Sequence, residues 1–562
     1  MSIAPIAAQR PAPRLEFEER FGWRRLRHGA VDLWFKGYLY GRDAKSLARD
    51  LGAWAARPDA DDLAAWLLGL DGHFAIAATA PGWTLAAVDR VRSMPLFYGR
   101  DGGAYVISSD APGLCRSLGL GLADIDSDAA LALAMAGYTI GTDTLYRGLE
   151  QLGPGQFLLV DADGNASCRR YHRYEPWRVT ETDGPALRDR LAEVTLGILR
   201  KVIESAGGRT ILVPLSAGLD SRLVVSGLAH LGHRNVKCFA YGLLGNHEAE
   251  ASRRIAAHLG FDWRFVRFTL KQQRAYFSSA LHRDYLAFAD SCCSCPFAQD
   301  LPAVHALGAQ GYIPDDAILV NGNSGDFISG NHILSPLHRP RPGLDAEGRR
   351  ALILRALIGR HFRLWEGLGT PENDERIQSR LLQELTRHGL DADDPETAHG
   401  IYEFLEFQDR QCKYVITGQR IYEFLGLDWR LPLWDGDYLD FWQGVPLSAK
   451  AGQRLYRATL AEHNWGGVWQ GRAWTFPRRV SPRWMRHGLR PLFKALHAPL
   501  GRRRWHRFER QYLQYWMDFL CNSAIVPYGR VFRDRRGARH FVSWHTEAYL
   551  RDKGLRFDGL PL

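Results

Sequence analysis

Residues 210–215 form an apolar run, TILVPL, and residues 219–232 carry apolar side chains at a spacing of three and four. The run predicts a buried parallel strand, and the spacing predicts a helix. Between them lie the small residues Ser216, Ala217 and Gly218. We therefore expect a tight turn from strand to helix, at which backbone N–H groups converge on one point.

Strand and helix patterns continue to alternate after this turn. The segments are VKCFAYG at 236–242, a helical EAEASRRIAAHLG, an extended stretch at 263–269 and AILVNGNSGDFISG at 317–330, after which helical patterns dominate. Such alternation predicts an α/β fold with a doubly wound parallel sheet, which binds ligands at the carboxyl ends of its strands.

Residues 33–174 show a different pattern, with short apolar alternations bounded by Gly, Asp and Pro. This pattern predicts antiparallel sheets with small helices between them. A helix is expected to begin near Asp183 to Pro185. We place a boundary near residue 178, which gives predicted domains at 1–178 and 179–562.

The chain has 562 residues, too many for one core, and 46% of them are hydrophobic and 24% charged. No apolar run approaches the roughly 18 residues that a membrane helix needs. The first residues, MSIAPIAAQRPAPRLEF, lack a hydrophobic core and resemble a disordered leader, which favours the cytoplasm. Eight cysteines are scattered, and Cys292, Cys293 and Cys295 have no second pair to complete a zinc site, so no structural metal is expected.

The formal net charge of +10 favours anionic partners, and ATP is one of them. No nucleic-acid-binding motif is present. The basic excess is strongest at 478–516, where Arg alternates with Trp, Phe and Leu. Two interpretations stay open for this segment: a surface that lies on anionic lipid, or a basic helical pair packed on its own domain.

The turn at 216–218 is suited to phosphates because its N–H groups and the positive end of the helix face an anion. Asp220 adds a carboxylate able to hold magnesium, and Ser221 adds a hydroxyl donor. The turn lacks the lysine and the glycine spacing of the Walker motif. Simple turn geometry is the alternative for the glycine.

The order SAGLDS resembles the pyrophosphate loop of ATP pyrophosphatases, and with NGNSGDFISG it resembles the synthetase domain of the asparagine synthetase family. The resemblance implies ATP and Mg²⁺ as cofactors, with Asp326 beside Asp220 as the second metal ligand. A turn-capping role is the alternative for Asp326. The ATP-binding residues implied are Leu215, Ser216, Ala217, Gly218, Leu219, Asp220, Ser221, Phe239, Tyr241, Gly242 and Gly322.

The resemblance extends to FAYGLLGNHEAEASRRIAAHLGF, where the family places adenine contacts, and to RLPLWDGDYLDFW at 430–442. In overall style the chain is similar to synthase-like proteins of surface-polysaccharide clusters. The N-terminal half resembles a class II glutamine amidotransferase, which implies an Ntn-type αββα fold. That chemistry needs an N-terminal cysteine, but residue 2 is Ser and the first cysteine is Cys115. Lys36 also stands in a glutamine-binding segment that departs from the family, so this domain is expected to be degenerate, a structural remnant or a docking surface.

Asn323 occupies the position of the family's glutamate that is thought to deprotonate the nucleophile. An amide cannot act as a general base near neutral pH, so turn capping or adenylate contact is its alternative role. The cation expected at the tetrahedral intermediate has two candidates, Arg472 in GRAWTFPRR and the Arg410/Lys413 pair. Each is equally compatible with a solvated basic residue.

These features favour an ATP-dependent ligase that adenylates a carboxylate and transfers it to ammonia or an amine. The resemblance suggests a uronic acid of a saccharide as the carboxylate, with L-aspartate as the runner-up. A non-catalytic scaffold of a glycan-assembly complex is the alternative from another class. No nucleic-acid partner is expected, and the sequence leaves a homodimer open.

Overall fold

The computed structural model describes residues 11–338, 343–474, 476 and 482–555. The chain divides into two units, and the first takes its described residues from Met1–Ala129, Thr139–Arg173 and Asp290–Ser294. The second contains Ala130–Tyr138, Tyr174–Ala289 and the described part of Cys295–Leu562. The boundary near residue 178 stays a prediction. Most of the expected leader, with Ser2, lies outside the described residues.

The first unit is built on two sheets. Its strands are β1 (Arg14–Glu16), β2 (Arg24–His28), β3 (Val31–Leu39), β4 (Gly72–Ala80), β5 (Trp83–Val88), β6 (Phe97–Asp101), β7 (Ala104–Ser108), β8 (Leu149–Gln151), β9 (Gln156–Asp161) and β10 (Ala166–Arg170). One sheet has the order β1-β7-β6-β8 and the other β10-β9-β5-β4-β3-β2. Apart from the parallel pair β1 and β7, neighbouring strands are antiparallel, as predicted.

Two of the N-terminal helices pack on the six-stranded sheet of this unit, and a third packs on β6, β7 and β8. The N-terminal helices are α1 (Ala44–Ala55), α2 (Ala60–Leu68), α3 (Ala111–Ser117) and α4 (Ser127–Ala136). Leu47 and Leu51 of α1 and Leu63 of α2 share a core with Phe35 and Ile76 of the sheet. Every residue of β5 is buried, so both faces of this strand are covered.

The second unit contains a five-stranded, wholly parallel sheet. Its strands are β11 (Ile211–Pro214), β12 (Val236–Gly242), β13 (Asp262–Arg267), β14 (Ile318–Val320) and β15 (Asp428–Arg430), in the order β13-β12-β11-β14-β15. From β11 the chain winds outward to β13 and then crosses to β14 and β15. This confirms the doubly wound fold, and the strand order reverses between β11 and β14, where ligands bind in such sheets.

The remainder of this unit is helical, as expected, except that β15 was not predicted. The helices are α5 (Pro185–Ala206), α6 (Asp220–His230), α7 (His247–Leu259), α8 (Leu270–Phe277), α9 (Ala280–Ala289), α10 (Leu301–Ala309), α11 (Ser335–His338), α12 (Ala346–His361), α13 (Pro371–Arg387), α14 (Ala398–Glu406), α15 (Arg420–Phe424), α16 (Gly436–Gly444), α17 (Leu447–Lys450), α18 (Arg454–His463), α19 (Arg490–His497), α20 (Arg502–Phe508), α21 (Gln514–Met517), α22 (Tyr528–Arg533) and α23 (Phe541–Asp552). Across the described residues, no helix combines the length and apolar character needed to cross a membrane.

Candidate active site

The first loop of the site connects the end of β11 to the start of α6 and spans residues 215–219. It folds around the hydroxyl of Ser221, which accepts a hydrogen bond from the Ser216 N–H at 3.0 Å and lies 3.1 Å from Ser216 Oγ. The Gly218 N–H donates to the same Ser216 Oγ at 3.1 Å. Leu215 is buried, and its N–H donates to the Phe239 carbonyl of β12. The loop is therefore fixed by hydroxyls and by the neighbouring strand.

An acidic side chain already lies on this loop. The Ala217 N–H donates to a carboxylate oxygen of Glu248, which belongs to the first turn of α7. Arg222 closes the loop from the other side, where its Nη2 donates to the Ala217 carbonyl at 2.8 Å. Burial lowers the pKa of Arg222 to about 10. The loop thus presents an N–H donor to a carboxylate oxygen, which is the kind of group that a phosphate oxygen would replace.

The second loop follows β14 and packs directly on the first. A Cβ atom at Gly322 would lie 2.8 Å from the Ser221 nitrogen, and one at Gly325 would lie 2.6 Å from Asp220 Cγ. Real Cβ atoms do not approach so closely, so both positions require glycine. The approach allows the Asp326 N–H to donate to Asp220 Oδ2 at 3.0 Å. The two aspartates of the sequence prediction are therefore brought together.

The two carboxylates differ in their electrostatics. Burial, and then the nearby charge of Asp326, raise the pKa of Asp220 to about 7, although the Tyr456 hydroxyl donates to its Oδ1 at 3.0 Å. Burial also acts to raise the pKa of Asp326, but a hydrogen bond from His332 and the charges of His332 and Arg410 hold it below its usual value. The Asp326 side chain is 47% exposed. The pair therefore combines a buried carboxylate, Asp220, with a half-exposed one, Asp326, whose negative charge is stabilised by His332.

A buried network supports Asp326 from behind. His332 Nε2 lies 3.2 Å from Asp326 Oδ2, and its Nδ1 faces Glu406, which also receives His361 at 3.1 Å. Burial lowers the pKa of His332, but the charges of Glu406 and Asp326 outweigh it and raise the pKa to about 9. Arg410 lies 3.4 Å from Glu406 Oε1. His332 is therefore positively charged near neutral pH and fixes the orientation of Asp326.

Asn323 lies between Gly322 and Gly325, the two positions of the second loop that leave no room for a Cβ atom. Its N–H donates to Asn321 Oδ1 at 2.9 Å, and the next residue, Ser324, has a φ of 69°. Left-handed backbone at a non-glycine residue is uncommon and is found where surrounding structure enforces it. Here the Ser324 hydroxyl donates to Gln411 Oε1 at 2.9 Å.

The predicted adenine-contact segment lies at the end of β12. The Phe239 carbonyl is taken by Leu215, and the Gly242 carbonyl accepts from the Phe268 N–H at 2.8 Å. The Tyr241 hydroxyl donates to Asp300, a residue that also accepts from the Tyr422 hydroxyl. These contacts tie the segment to the strands on either side of it.

The two predicted cationic candidates have different environments. Lys413 is buried, and its Nζ lies 2.9 Å from Asp409 Oδ1, which commits its charge to an internal ion pair. Arg472 is exposed in a short helical turn, Arg472–Trp474. That turn neighbours Phe476, whose ring packs against the guanidinium of Arg222. Part of GRAWTFPRR lies outside the described residues, and a catalytic role for either residue stays a prediction.

Four residues of the site were not found from the sequence: Glu248, His332, Glu406 and Tyr456. Glu248 stands in an unremarkable helix start, and Tyr456 is 236 residues from Asp220. The only local signal was the spacing of Asp326 and His332, six residues apart across a helical turn. Pattern alone does not distinguish them from other helix residues.

An open cavity lies in the C-terminal part of the second unit, with about 640 Å³ of space including open solvent. Its charged lining consists of Arg507, Arg510 and Arg535 together with the acidic residues Glu366 and Asp534. Burial, and then the charges of Arg360, Arg510 and Arg410, lower the pKa of nearby Arg539. Phe541 lines this cavity and also a second one of about 330 Å³, which is bounded by Phe297 and Tyr414.

The second cavity shares Phe541 with the first and is also lined by Phe297. Phe297 lies beside Gly418, and a Cβ atom at Gly418 would lie 3.7 Å from Asn323 Nδ2. The arginines of the first cavity outnumber its two acidic residues, Glu366 and Asp534, so its lining carries a positive excess. An acidic ligand suits such a surface.

The region that contains the parallel sheet matches a known protein family. Residues 206–463 match the family model of asparagine synthase. Residues 206–463 form an asparagine synthase domain. Both loops described above lie within this domain, which is that of an ATP-using ligase in general terms.

Solved structures show more distant similarity to the chain containing this asparagine synthase domain. One is a glutamine PRPP amidotransferase from B. subtilis complexed with ADP and GMP, 14% identical over 48% of this chain and 76% of that one, with a TM-score of 0.17. Another is an NAD⁺ synthetase from Burkholderia pseudomallei, 17% identical over 41% and 90%, with a TM-score of 0.18. No curated protein sequence matches the chain.

Proposed function

We propose that the protein is an ATP-dependent ligase that adenylates a carboxylate, releases pyrophosphate and transfers the acyl group to ammonia or an amine. The observation that carries the proposal is the meeting of Asp220 and Asp326 at the carboxyl ends of β11 and β14. Two carboxylates beside a loop of N–H donors suit a magnesium-bound triphosphate.

The residues present fit a magnesium ion. Mg²⁺ in proteins is commonly held by one or two carboxylates together with substrate phosphates. Among the described residues, no group of three or more His, Cys, Asp or Glu side chains has metal-binding geometry, so a two-carboxylate site is the kind that we propose. Asp220 and Asp326 would hold the ion, which supplies charge neutralisation of the leaving pyrophosphate when bound. The raised pKa of Asp220 indicates a buried carboxylate that lacks a compensating cation.

The reaction has two steps in this proposal. A carboxylate oxygen of the substrate attacks the α-phosphorus of ATP, the bond to the bridging oxygen breaks, and pyrophosphate leaves. The amine nitrogen then attacks the acyl carbon, loses a proton, and AMP leaves with the carbon–oxygen bond electrons. The N–H groups of Ala217 and Gly218 would bind the phosphates, and Arg222 holds the loop in shape.

Asn323 does not supply a general base, since a carboxamide is too weakly basic to accept a proton near neutral pH. Glu406 is also unsuited, because burial raises its pKa but the charges of His361 and His332 hold it well below its usual value. The nucleophile is therefore expected to arrive as the neutral amine.

For the carboxylate we propose an acidic saccharide, such as a uronic acid from surface-polysaccharide synthesis. The cavity lined by Arg507, Arg510 and Arg535 supports this choice, because these arginines outnumber its acidic residues, Glu366 and Asp534, and a positive excess favours an acidic ligand. Gln511 and Gln514 add hydrogen-bonding groups suited to hydroxyls. L-Aspartate remains the competing carboxylate, on the strength of the domain family.

Pyrophosphate release tests the proposal. The protein is incubated with MgATP, ammonia or glutamine, and glucuronate, galacturonate, L-aspartate or no carboxylate. Release that depends on a carboxylate and is lost in Asp220→Asn supports the ligase, and the active carboxylate separates the two substrates. If no carboxylate raises pyrophosphate release above background and Asp220→Asn behaves as the parent protein, the result favours a non-catalytic scaffold. Glutamate formed from glutamine would contradict the expectation that the N-terminal domain is degenerate.

A further inference from the structure

Apolar side chains form an exposed stripe along α19 and the turn that follows it. The fractional exposures are 37% for Leu489, 55% for Leu492, 59% for Leu496 and 49% for Leu500. The spacing of three, four and four residues places these leucines on one face of a helix. Trp484, at 51% exposure, precedes them. An apolar row of this length is unusual on a surface that faces only water.

The face of α19 next to the leucine stripe holds the helix in place. Phe493 and His497 stack on Phe508, with ring centroids 5.1 and 4.4 Å apart, and Phe493 packs against a core of Met485, Trp505 and Leu513. The helix is therefore anchored to its own unit through one side.

The charge around the stripe is of one sign. Residues 482–508 contain no Asp or Glu, and they contain Arg483, Arg486, Arg490, Lys494, Arg502, Arg503, Arg504 and Arg507. The first acidic residue is Glu509, which Arg490 engages at 2.7 Å. A second copy of this surface would meet the first with equal positive charge. An anionic bilayer instead satisfies both the leucines and the basic residues.

We propose that α19 and the turn to Leu500 dock on an anionic lipid bilayer, with the leucine stripe in the interface and the surrounding Arg and Lys side chains on the headgroups. This proposal is independent of the ligase reaction. Docking also has a consequence that does rest on the proposed function. Arg507 of α20 lines the large cavity, and α20 adjoins α19, so the acidic-substrate cavity would lie near the lipid surface. A saccharide carried on a lipid would reach it there.

Vesicle co-sedimentation of the full chain tests the docking. The vesicles are phosphatidylcholine alone, or an equimolar mixture with phosphatidylserine. We expect the protein to bind the mixed vesicles and to remain in the supernatant with the neutral ones. Leu492→Ser with Leu496→Ser should reduce binding at least about tenfold, because each exposed leucine gains apolar burial in the interface. Leu122→Ser with Leu244→Ser, equally exposed leucines elsewhere, is the matched control and should bind as the parent does.

Charge is tested separately. Arg503→Glu with Arg504→Glu should weaken binding by more than about 20-fold, since each basic residue near an anionic surface contributes about fivefold. Arg57→Glu with Arg200→Glu is the control for the same change in net charge. Equal losses in both double variants would indicate attraction by the net charge alone and would overturn the proposal.

Two further results would also overturn it. One is a parent protein that does not bind the mixed vesicles, and the other is a leucine variant that binds these vesicles as well as its control does. Sedimentation velocity without vesicles would expose the competing occupant, since a dimer that dissociates only in the leucine variant assigns the stripe to a second copy. Unchanged melting temperatures would show that the variants are folded. Loss of docking with intact pyrophosphate release in solution would leave the proposed function standing.

Discussion

The N–H of Asp326 donates to the Oδ2 atom of Asp220 across 3.0 Å, although 106 residues separate the two in sequence. The contact exists because β14 lies beside β11 in the sheet, so the loops after both strands emerge at one edge. Each aspartate has its own hydrogen-bond partner, Tyr456 for Asp220 and His332 for Asp326, and each partner acts to lower the pKa of its aspartate. This relationship defines what the site variants should do.

Removing either negative charge should abolish adenylation. Asp220→Asn and Asp326→Asn preserve size, and each should lower carboxylate-dependent pyrophosphate release by at least about 100-fold, because the leaving group loses its metal-mediated charge neutralisation. Melting curves check that the variants fold. Activity within a few-fold of the parent protein in both would show that these carboxylates do not hold the metal.

Tyr456→Phe should weaken the response to magnesium. The hydroxyl donates to Asp220 Oδ1, and a hydrogen bond to a charged group contributes about 1.5–3 kcal/mol, so the Mg²⁺ concentration for half-maximal activity should rise about tenfold or more. Tyr438→Phe is the control, since Tyr438 is buried nearby without a hydrogen bond to Asp220. An equal shift in both variants would point to general repacking.

Glu248→Gln should tighten ATP binding. The Glu248 carboxylate accepts the Ala217 N–H that a phosphate oxygen would use, and it repels the triphosphate. Removing one charge at short range should lower the Kd for ATP by about threefold to tenfold. Glu250→Gln, an exposed residue of the same helix that pairs with Arg253, should have no effect. Weaker ATP binding in Glu248→Gln would instead make this carboxylate part of the metal site.

The stability of the second unit should depend on the protonation of His540. Its Nδ1 accepts from the Val542 N–H at the start of α23, and burial followed by the charges of Arg539 and Arg410 lowers its pKa to about 4. The unfolded chain therefore takes up this proton first as the pH falls from about 6.5 to about 4, and stability is lost across that window. The loss is at most about 1.4 kcal/mol per pH unit from one group.

His540→Asn tests this assignment, because asparagine caps helices well and does not titrate. The variant should lose less stability than the parent protein between pH 6.5 and pH 4 in denaturant unfolding, while the two are similar at pH 7.5. His487→Asn, at an exposed position, is the control. Parallel pH profiles for all three proteins would show that other groups dominate acid unfolding.

Arg510 should govern the affinity for the acidic substrate. Arg510→Gln retains hydrogen-bonding capacity but removes a charge from the cavity, so the KM for the active carboxylate should rise about tenfold with the KM for ATP unchanged. Arg503→Gln changes an exposed arginine of α20 that does not line the cavity, and it should leave both constants unchanged. A rise in both KM values in Arg510→Gln would indicate a disturbed fold.

Local pattern was sufficient to predict the parts of the site that a single segment builds. The apolar run before Ser216 and the helix from Asp220 to His230 follow from hydrophobic spacing, and the start of α5 at Pro185 follows from its turn residues. The resemblance then indicated Asp326. The spacing of apolar residues does not show which strands are neighbours in the sheet.

The rest of the site depends on that missing information. Tyr456, Glu406 and Glu248 reach the loops through tertiary packing, so nothing in their own segments marks them. For Lys413, which stays a candidate for the catalytic cation, the sequence did not indicate that the side chain is buried against Asp409. Strand β15 was missed because three residues, DWR, carry too little pattern to predict a strand.

Gly322 and Gly325 limit how this site can be redesigned. Because neither position has room for a methyl group, a mutational library there would return almost only the parent residue, however useful the new chemistry. Residues around Phe297 and along the arginine-lined cavity border open space instead. Attempts to give the protein a new substrate should therefore diversify the cavity walls and keep both glycine positions fixed.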